Sequence, residues 1–321
     1  MGVAAGAIDR FAADLDALLA PGERLGVAVS GGPDSIALLL LAAAARPGLV
    51  VAASVDHALR NGSRAEAQAV AAACHALGVA HDILTIGWSK APTSAVQEMA
   101  RAERYRALGQ WAVERGLGAV ATGHHADDQA ETLVMRLGRG AGVRGLAAIR
   151  PRSRLPGTPA IALLRPLLGW RRSDLAELVA ASGMAACDDP SNHDERHERV
   201  RVRRALAQAD WLDPAALAAS AAHLAAADEA IEFAVDAEWR KRVADAGEVR
   251  FAPGDAPREI RRRLAARAIA ALGNEGDVTS VRGGELDRLL DALEGGRTAT
   301  LRGVLATGGA QWRFTRAPAR R

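Results

Sequence analysis

The fold is decided by the stretch Leu25-Gly-Val-Ala-Val-Ser-Gly-Gly-Pro-Asp-Ser35-Ile-Ala-Leu-Leu39. It opens with an apolar run typical of a buried strand, passes through a glycine turn and continues as an apolar run typical of a helix. Backbone N–H groups at such a helix start, together with about half a positive charge from the helix dipole, attract anions. Gly31 and Gly32 carry no Cβ to keep a phosphate away, and Ser30 and Ser35 add hydroxyl donors. The stretch predicts a phosphate-binding loop, with an ordinary strand-to-helix turn as the alternative.

The spacing of this loop excludes two common nucleotide motifs. A Walker A loop needs Gly-Lys-Ser/Thr after four intervening residues, and the dinucleotide motif needs Gly-x-Gly-x-x-Gly. The loop has neither pattern and contains no lysine.

The pattern around the loop predicts an α/β fold. Short β-rich apolar runs alternate with longer alanine- and leucine-rich stretches over the first 190 residues, as in a parallel, doubly wound sheet with helices on both faces. An arginine-rich segment at 196–204 then leads into a region of different texture. We expect a catalytic domain at 1–205 and a smaller, mainly helical α+β domain at 206–321. Predicted strands lie at 25–29, 50–55, 82–86, 119–122, 160–164, 299–305 and 311–315.

Composition excludes several classes of protein. The chain has 321 residues, of which 49% are hydrophobic and 25% charged. No apolar run reaches the roughly 18–20 residues that cross a bilayer, and the acidic N-terminus does not resemble a signal peptide. Cys74 and Cys187 lie too far apart for a Cys-x-x-Cys pair. We therefore expect a cytoplasmic protein with no membrane partner. The net charge of +3 does not by itself establish a polyanionic partner.

Polar residues follow two of the predicted strands. Asp56 and His57 end the second strand, where a ligand of an open α/β sheet binds. After the fourth strand, His124 precedes a predicted helix that places Asp128 and Glu131 on one face. Such a cluster is costly to bury without a cation or polar ligand. A structural metal is less favoured, because no further ligands follow at regular spacing.

Other groups admit more than one interpretation. Arg101, Arg104 and Tyr105 share a helical face, either as a site or as a solvated surface. A phosphohydrolase built on His125 and Asp127 would leave the phosphate loop unexplained. The aromatic residues Phe251, Trp312 and Phe314 are predicted to pack in a core rather than to stack on bases.

Together these motifs resemble the tRNA(Ile)-lysidine synthases, a family of PP-loop ATP pyrophosphatases. The resemblance covers about 175 residues in the order of that family. It rests on Ser-Gly-Gly-Pro-Asp-Ser at 30–35, Val-Asp-His-Ala-Leu-Arg at 55–60, the helix at 101–105, Gly-His-His-Ala-Asp-Asp-Gln-Ala-Glu-Thr at 123–132, Arg-Leu-Gly-Arg-Gly-Ala-Gly at 136–142, Arg-Pro-Leu-Leu at 165–168, and Asp-Pro-Ser-Asn at 189–192 followed by the arginines.

The resemblance implies a ligase that uses ATP and Mg²⁺ to join free lysine to the wobble cytidine of tRNA(Ile) with a CAU anticodon. It implies catalytic roles for Asp34, Arg104, Asp128 and Glu131. Asp128 and Glu131 would bind the lysine ammonium, Arg104 a phosphate or the lysine carboxylate, and Asp34 the metal, with Asp128 as an alternative metal ligand. The nucleotide would contact Ser30, Gly31, Gly32, Pro33, Asp34, Ser35, Asp56, His57, Gly123 and His124. The arginines Arg196, Arg199, Arg201, Arg203 and Arg204 suit RNA phosphates, or a solvated linker helix.

Three alternatives remain at this point. A tRNA 2-thiocytidine synthase or other sulfur-transferring pyrophosphatase activates the same kind of oxygen, but such enzymes use paired cysteines. Amide-forming relatives carry or recruit a nucleophilic cysteine, for which neither cysteine here has an evident setting. A non-catalytic nucleotide-binding module would need no second acidic cluster. The oligomeric state, including a homodimer, is left open.

Overall fold

The computed structural model describes residues 3–57, 63–88, 96–187, 194–245, 247–273 and 283–318. The chain forms two compact units, the first ending at Ala225 and the second beginning at Ala226. This boundary lies inside the long helix Pro214–Arg240, later in the chain than the expected domain boundary after residue 205.

Helices and strands alternate along most of the first unit. They are α1 (Ala5–Asp16), β1 (Leu25–Ala28), α2 (Pro33–Ala45), β2 (Val50–Asp56), α3 (Ser63–Ala76), β3 (Ala80–Thr85), α4 (Val96–Glu114), β4 (Ala119–Ala121), α5 (Ala126–Leu137), α6 (Val143–Leu146), β5 (Arg152–Leu155), β6 (Thr158–Leu164), α7 (Arg172–Ser182) and α8 (Glu198–Gln208). Helix α9 (Pro214–Arg240) continues into the second unit.

A six-stranded sheet with the order β3-β2-β1-β4-β6-β5 forms the centre of the first unit. Its strands are parallel except for β5, which pairs antiparallel to β6. The chain order reverses between β1 and β4, which are neighbours with Gly26 opposite Val120. Open α/β sheets bind ligands at the carboxyl edge beside such a reversal. The loops after β1 and β4 therefore lie side by side where a ligand is expected, and the predicted doubly wound fold is confirmed.

Helix α2 anchors the first of these loops. Its residues Ile36 to Ala42 are all buried, and they share a core with Phe11 and Leu15 of α1 and Leu175 of α7. A helix that is apolar on every side belongs in the interior, and each buried leucine contributes about 1.5–3 kcal/mol. The N-terminus of α2 is consequently held firmly at the edge of the sheet.

The second unit has its own core on one face of an antiparallel sheet. Its elements are β7 (Val243–Asp245), β8 (Glu248–Phe251), α10 (Arg258–Leu272), α11 (Gly283–Glu294), β9 (Thr298–Leu301), β10 (Val304–Thr307) and β11 (Trp312–Arg316). The strand order is β7-β8-β11-β10-β9. The ring of Phe251 lies 5.5 Å from Phe314 and 5.8 Å from Trp312, and all three are buried. The predicted core role of these aromatics is confirmed.

The predicted strand 299–305 is wrong, because the segment forms two strands. Arg302 and Gly303 have φ angles of +47° and +72° and separate β9 from β10. Two consecutive left-handed residues make the tight hairpin turn that suits the twist of the flanking strands.

Among the described residues, no helix has both the length and the apolar character to cross a membrane.

Candidate functional site

The phosphate loop joins β1 to α2, and hydrogen bonds of its own serine side chain fix its conformation. Gly31 has a φ of +89°, a conformation that favours glycine. The Ser35 hydroxyl donates to the Gly32 carbonyl at 2.8 Å and accepts the Ser30 N–H at 3.2 Å. Pro33 begins the helix, where its missing N–H costs nothing. The first-turn N–H groups of α2 are thus directed at an anion site, as the sequence predicts.

Two contacts fix the loop from outside. The Cys187 N–H donates to the Gly31 carbonyl at 2.8 Å. On the other side, a Cβ placed on Gly123 would lie 2.8 Å from the Asp34 carbonyl oxygen. Gly123 is therefore required for the close approach of the β4 loop to the start of α2. The sequence singled out Gly123 as a nucleotide contact, and the structure adds this packing reason.

His125 occupies the centre of an acidic cluster beside the loop. Its side chain is 2% exposed, with Nε2 3.4 Å from Asp34 Oδ2 and 3.6 Å from Asp128 Oδ2. Nδ1 lies 3.6 Å from Asp127 Oδ2. Burial opposes charge on the ring, but Asp127, Asp34 and Asp128 outweigh it and raise the pKa of His125 to about 10. His125 is therefore an imidazolium at neutral pH.

The carboxylates of this cluster are held ionised. Burial acts to raise the pKa of Asp127, but His125 and the Arg172 N–H, which donates at 2.8 Å, lower it far below its ordinary value. Burial also acts to raise the pKa of Asp128, but the charges of His125 and Arg199 outweigh it and lower that pKa. Asp128 Oδ2 also accepts the His125 backbone N–H at 3.0 Å. Sequence reasoning gave His125 no role in this site, although two flanking carboxylates were a signal.

Asp34 offers an oxygen to a hard cation. Its Oδ1 atom is buried and has no hydrogen-bond partner within the described residues, whereas Oδ2 faces His125. Carboxylate oxygens are preferred ligands of Mg²⁺. Asp128 is less suitable, because Oδ2 bonds His125 and Oδ1 lies 3.3 Å from Arg199. In the part of the chain that is described, no group of three or more His, Cys, Asp or Glu side chains is arranged to hold a metal ion. Asp34 is thus the carboxylate of this cluster that would hold such an ion.

Glu131 is bound on both oxygens by arginines of α8. Its side chain is 2% exposed, with Oε2 2.7 Å from Arg199 Nε and Oε1 2.5 Å from Arg203 Nε. The residue expected to bind an ammonium is thus engaged by two guanidinium groups. Arg199 and Arg203, expected at RNA phosphates, make these internal contacts instead. Arg201 is exposed and donates to the Glu195 and Arg196 carbonyls.

The other two arginines that were predicted to contact RNA phosphates also form ion pairs within the chain. Arg196 pairs with Asp194 at 2.6 Å, and Arg204 pairs with Glu195.

The other predicted nucleotide contacts follow β2 and β4. Asp56 is buried at the end of β2, and Arg104 Nη2 lies 3.3 Å from His57 Nε2. His124 contacts Thr122 Oγ1 through Nδ1 at 2.9 Å. Burial is the main cause that lowers the pKa of His124 to about 4, with Asp128 opposing it. His124 is therefore neutral while its neighbour His125 is charged. Residues 58–60 and 189–192 of the predicted motifs lie outside the described residues.

Comparison with known proteins shows the family of the chain. A family model described as the PP-loop domain matches residues 6–210. A tRNA(Ile)-lysidine synthase of Novosphingobium aromaticivorans is 50% identical over 98% of this chain and 95% of its own length. The chain belongs to the tRNA(Ile)-lysidine synthase family. The same enzyme of Zymomonas mobilis is 43% identical over 93% of this chain and 90% of its own. The resemblance inferred from the motifs is confirmed.

A solved structure shares the fold. The U34-tRNA thiolase of Methanococcus maripaludis aligns with a TM-score of 0.56 and 16% identity, over 68% of this chain and 78% of its own. At that identity the likeness shows the fold alone.

Two motif residues of the lysidine synthase family have structural roles on α5. The Gln129 amide donates to the Ile149 carbonyl at 2.8 Å and accepts the Ile149 N–H at 2.7 Å. Arg136 Nη1 donates to the Gly145 and Ala148 carbonyls at 2.7 and 2.9 Å. These contacts stabilise a turn in which Ala148 has a φ of +47°, a strained conformation for alanine. Gln129 and Arg136 of the motifs therefore stabilise the turn that follows α6.

Proposed function

We propose that this protein joins lysine to carbon 2 of the wobble cytidine in an isoleucine tRNA with a CAU anticodon, using ATP. Membership of the lysidine synthase family over nearly the whole chain supports the proposal. The observation that carries it is the position of His125, 3.4 Å from Asp34 and 3.6 Å from Asp128. One buried cation links the phosphate loop to the acidic cluster, so that ATP and a second substrate would meet at one place.

In the first step the carbonyl oxygen on carbon 2 of cytosine attacks the α-phosphorus of ATP. The bond from that phosphorus to the bridging oxygen breaks, and pyrophosphate leaves. The N–H groups of the loop from Gly31 to Ser35 stabilise the charge that develops on the leaving group. The His125 imidazolium adds fixed positive charge beside them. Mg²⁺, when bound through Asp34, would supply further neutralisation of phosphate charge.

In the second step the lysine ε-amine attacks carbon 2, the bond from carbon 2 to the AMP oxygen breaks, and AMP leaves. This amine has an ordinary pKa of about 10.4, so it arrives as an ammonium and must release a proton to water. Asp128 stays ionised and has lone pairs to spare beside its present partners, which suits it to bind the ammonium. Glu131 contributes by holding Arg199 and Arg203 next to Asp128.

The RNA must present an unstacked base, because a cytidine inside a stacked anticodon cannot reach the loop. Arg201, which is exposed, is the proposed phosphate contact on α8. The second unit is proposed as a further tRNA contact.

The composition of the chain disfavours a sulfur-transferring relative. Burial raises the pKa of Cys74 to about 11, so this residue remains an unreactive thiol. Cys187 is the remaining cysteine of the chain and holds the Gly31 carbonyl through its backbone. No pair of thiols serves the site.

The test is incorporation of labelled lysine into tRNA(Ile) transcripts with ATP and Mg²⁺. We expect label with a CAU anticodon, none with UAU, and a loss of about 100-fold or more for Asp34→Ala. Pyrophosphate release that depends on tRNA, without lysine in the RNA, would support the adenylation step and contradict lysine as the amine that is joined to the RNA. Pyrophosphate release that is absent, or independent of tRNA, would favour a nucleotide-binding module.

A further inference from the structure

Trp170 is a buried aromatic residue that helix α1 holds through two side chains. It lies in the turn between β6 and α7 and is 3% exposed. Its indole N–H donates to Asp14 Oδ2 at 2.8 Å, and the Arg10 guanidinium lies 4.2 Å from the centre of its ring. Arg10 Nη2 also donates to the Gly169 carbonyl at 2.7 Å. Because Arg10 and Asp14 are one turn apart on α1, they fix the ring and the backbone beside it together.

The backbone that is fixed in this way is bonded to the start of α5. The Trp170 carbonyl accepts the Ala126 N–H at 2.8 Å, and Asp127 Oδ2 accepts the Arg172 N–H at 2.8 Å. Ala126 and Arg172 are the first residues of α5 and α7, where an N–H group has no partner within its own helix. Each element thus satisfies an N–H group of the other. We call residues 169–172 the Trp170 segment.

A charged side chain of the Trp170 segment reaches the same carboxylate. Arg171 Nε lies 3.5 Å from Asp127 Oδ2, and Arg171 Nη1 lies 3.0 Å from Asp213 Oδ1 at the start of α9. Asp127 Oδ2 also lies 3.6 Å from Nδ1 of His125, the buried residue beside the phosphate loop. One oxygen atom of Asp127 therefore connects the Trp170 segment with His125.

We propose that Trp170 is a positioning residue for the adenylation step, and that it acts through Asp127 on His125. The inference rests on the proposed function and deepens it, because it concerns how the groups of that site are held for reaction. A displacement of about 1 Å in a catalytic group can reduce a rate by about 100-fold. Loss of the contacts with α1 should therefore slow the release of pyrophosphate and leave the affinities for ATP and tRNA unchanged.

The experiment compares two tryptophans that make the same kind of hydrogen bond. Trp111 is also 3% exposed, and its indole N–H donates to Asp82 Oδ2 at 2.7 Å. Trp170→Phe and Trp111→Phe therefore each remove one indole N–H from an aspartate of the first unit. With tRNA, ATP, Mg²⁺ and lysine, Trp170→Phe should lower kcat for pyrophosphate release about 10-fold and change both KM values less than about 2-fold. Trp111→Phe should keep kcat within about 2-fold of the wild type.

Variants of Asp14 test the hydrogen bond while the tryptophan ring is kept. Asp14→Asn retains an oxygen that accepts the indole N–H, so its kcat should stay within about 2-fold of the wild type. Asp14→Ala removes the acceptor and should lower kcat as Trp170→Phe does. If Trp170→Phe fails to fold, this pair of variants decides. Equal kcat values in Asp14→Asn and Asp14→Ala would contradict the proposal.

A double-mutant cycle tests the connection through Asp127. In an Asp127→Ala background the connecting oxygen is absent, so Trp170→Phe should lower kcat by much less than it does in the wild type. Losses that multiply would show that Trp170 acts independently of Asp127. Equal losses in Trp170→Phe and Trp111→Phe would show a merely structural role, and a loss confined to the KM for tRNA would show an RNA contact. Each of these results overturns the proposal.

The wild type separates this proposal from the proposed function. If it releases no pyrophosphate in the presence of tRNA, the proposed function is rejected and the role of Trp170 with it. If it releases pyrophosphate and Trp170→Phe is equally fast, the positioning role alone is rejected.

Discussion

Two buried arginines of this chain differ in the charge of the groups around them. Arg263 in the second unit is 4% exposed and pairs with Asp228 at 2.7 Å, Glu232 at 2.6 Å and Glu259 at 2.8 Å. Arg165 in the first unit is 8% exposed and contacts only neutral oxygen atoms by hydrogen bonds. Both are fixed by their surroundings, but of the two only Arg263 has its charge compensated by carboxylates among the described residues.

The contrast separates a buried charge balanced by carboxylates from one whose hydrogen bonds go to neutral atoms. Arg263 of α10 faces Asp228 and Glu232 of α9 and Glu259 of its own helix. Arg165 follows β6 at the carboxyl edge of the sheet, and its Nη1 donates to a backbone carbonyl and a hydroxyl. The two arginines should therefore differ in what their removal costs.

The largest effect is expected from Arg263→Met. Removing the cation leaves Asp228 and its neighbours buried without a counterion, which destabilises a protein by about 3–5 kcal/mol. Urea unfolding followed by tryptophan fluorescence measures this. Arg165→Met should cost only about 1–2 kcal/mol, the value of hydrogen bonds to neutral acceptors. Equal losses of unfolding free energy in the two variants would show that the two arginines do not differ in charge compensation.

A smaller loss is expected for Glu131→Gln. An amide carries no charge to balance Arg199 and Arg203, which leaves Arg199 with Asp128 alone and Arg203 without its carboxylate, at a cost of about 1–3 kcal/mol. Hydrogen exchange should rise in α8, whose arginines lose their anchor on α5. Glu198→Gln is the matched control, because its ion pair with Arg139 is exposed and worth little. Unchanged exchange in α8 would contradict the compensating role of Glu131.

Packing at the loop can be tested without any change in charge. Gly123→Ala places a methyl group against the Asp34 carbonyl and should cost about 1–3 kcal/mol. It should also weaken ATP binding, measured by calorimetry. Gly118→Ala is the control, since a Cβ there meets no atom within 4 Å. ATP affinity that is unchanged in Gly123→Ala would show that the close approach does not shape the loop.

The last effect concerns pH. The folded state lowers the pKa of His124 to about 4, so the unfolded chain binds more protons between about pH 6.5 and 4. The stability contributed by neutral His124 is present above about pH 6.5 and is lost as pH falls through this window, by at most about 1.4 kcal/mol per pH unit. His124→Gln should flatten unfolding free energies measured across this range. A profile identical to that of the wild type would show that burial does not hold His124 neutral.

The sequence predicted those parts of the site that depend on local geometry. The glycine turn, the strand before it and the apolar helix after it are adjacent in the chain, so the phosphate loop follows from one short stretch. The positions of Asp56 and His124 follow from the rule that strands of a parallel sheet end at one edge.

Contacts between residues far apart in the chain could not be predicted from the sequence. Glu131 meets Arg199 and Arg203, which lie 68 and 72 residues further along the chain. No periodicity reports that such a pairing will form, so those arginines were expected at RNA. The burial of Arg165 and the central place of His125 likewise arise only when β4, β6 and α5 come together.

The central claim is tested most directly by the nucleoside at the wobble position. Wild-type protein is incubated with the CAU tRNA(Ile) transcript, ATP, Mg²⁺ and lysine, and the RNA is digested and analysed by mass spectrometry. The account predicts a cytidine that carries lysine at that position and nowhere else, with AMP and pyrophosphate released in equal amounts. An unmodified wobble cytidine, or one that carries another substituent, would contradict it.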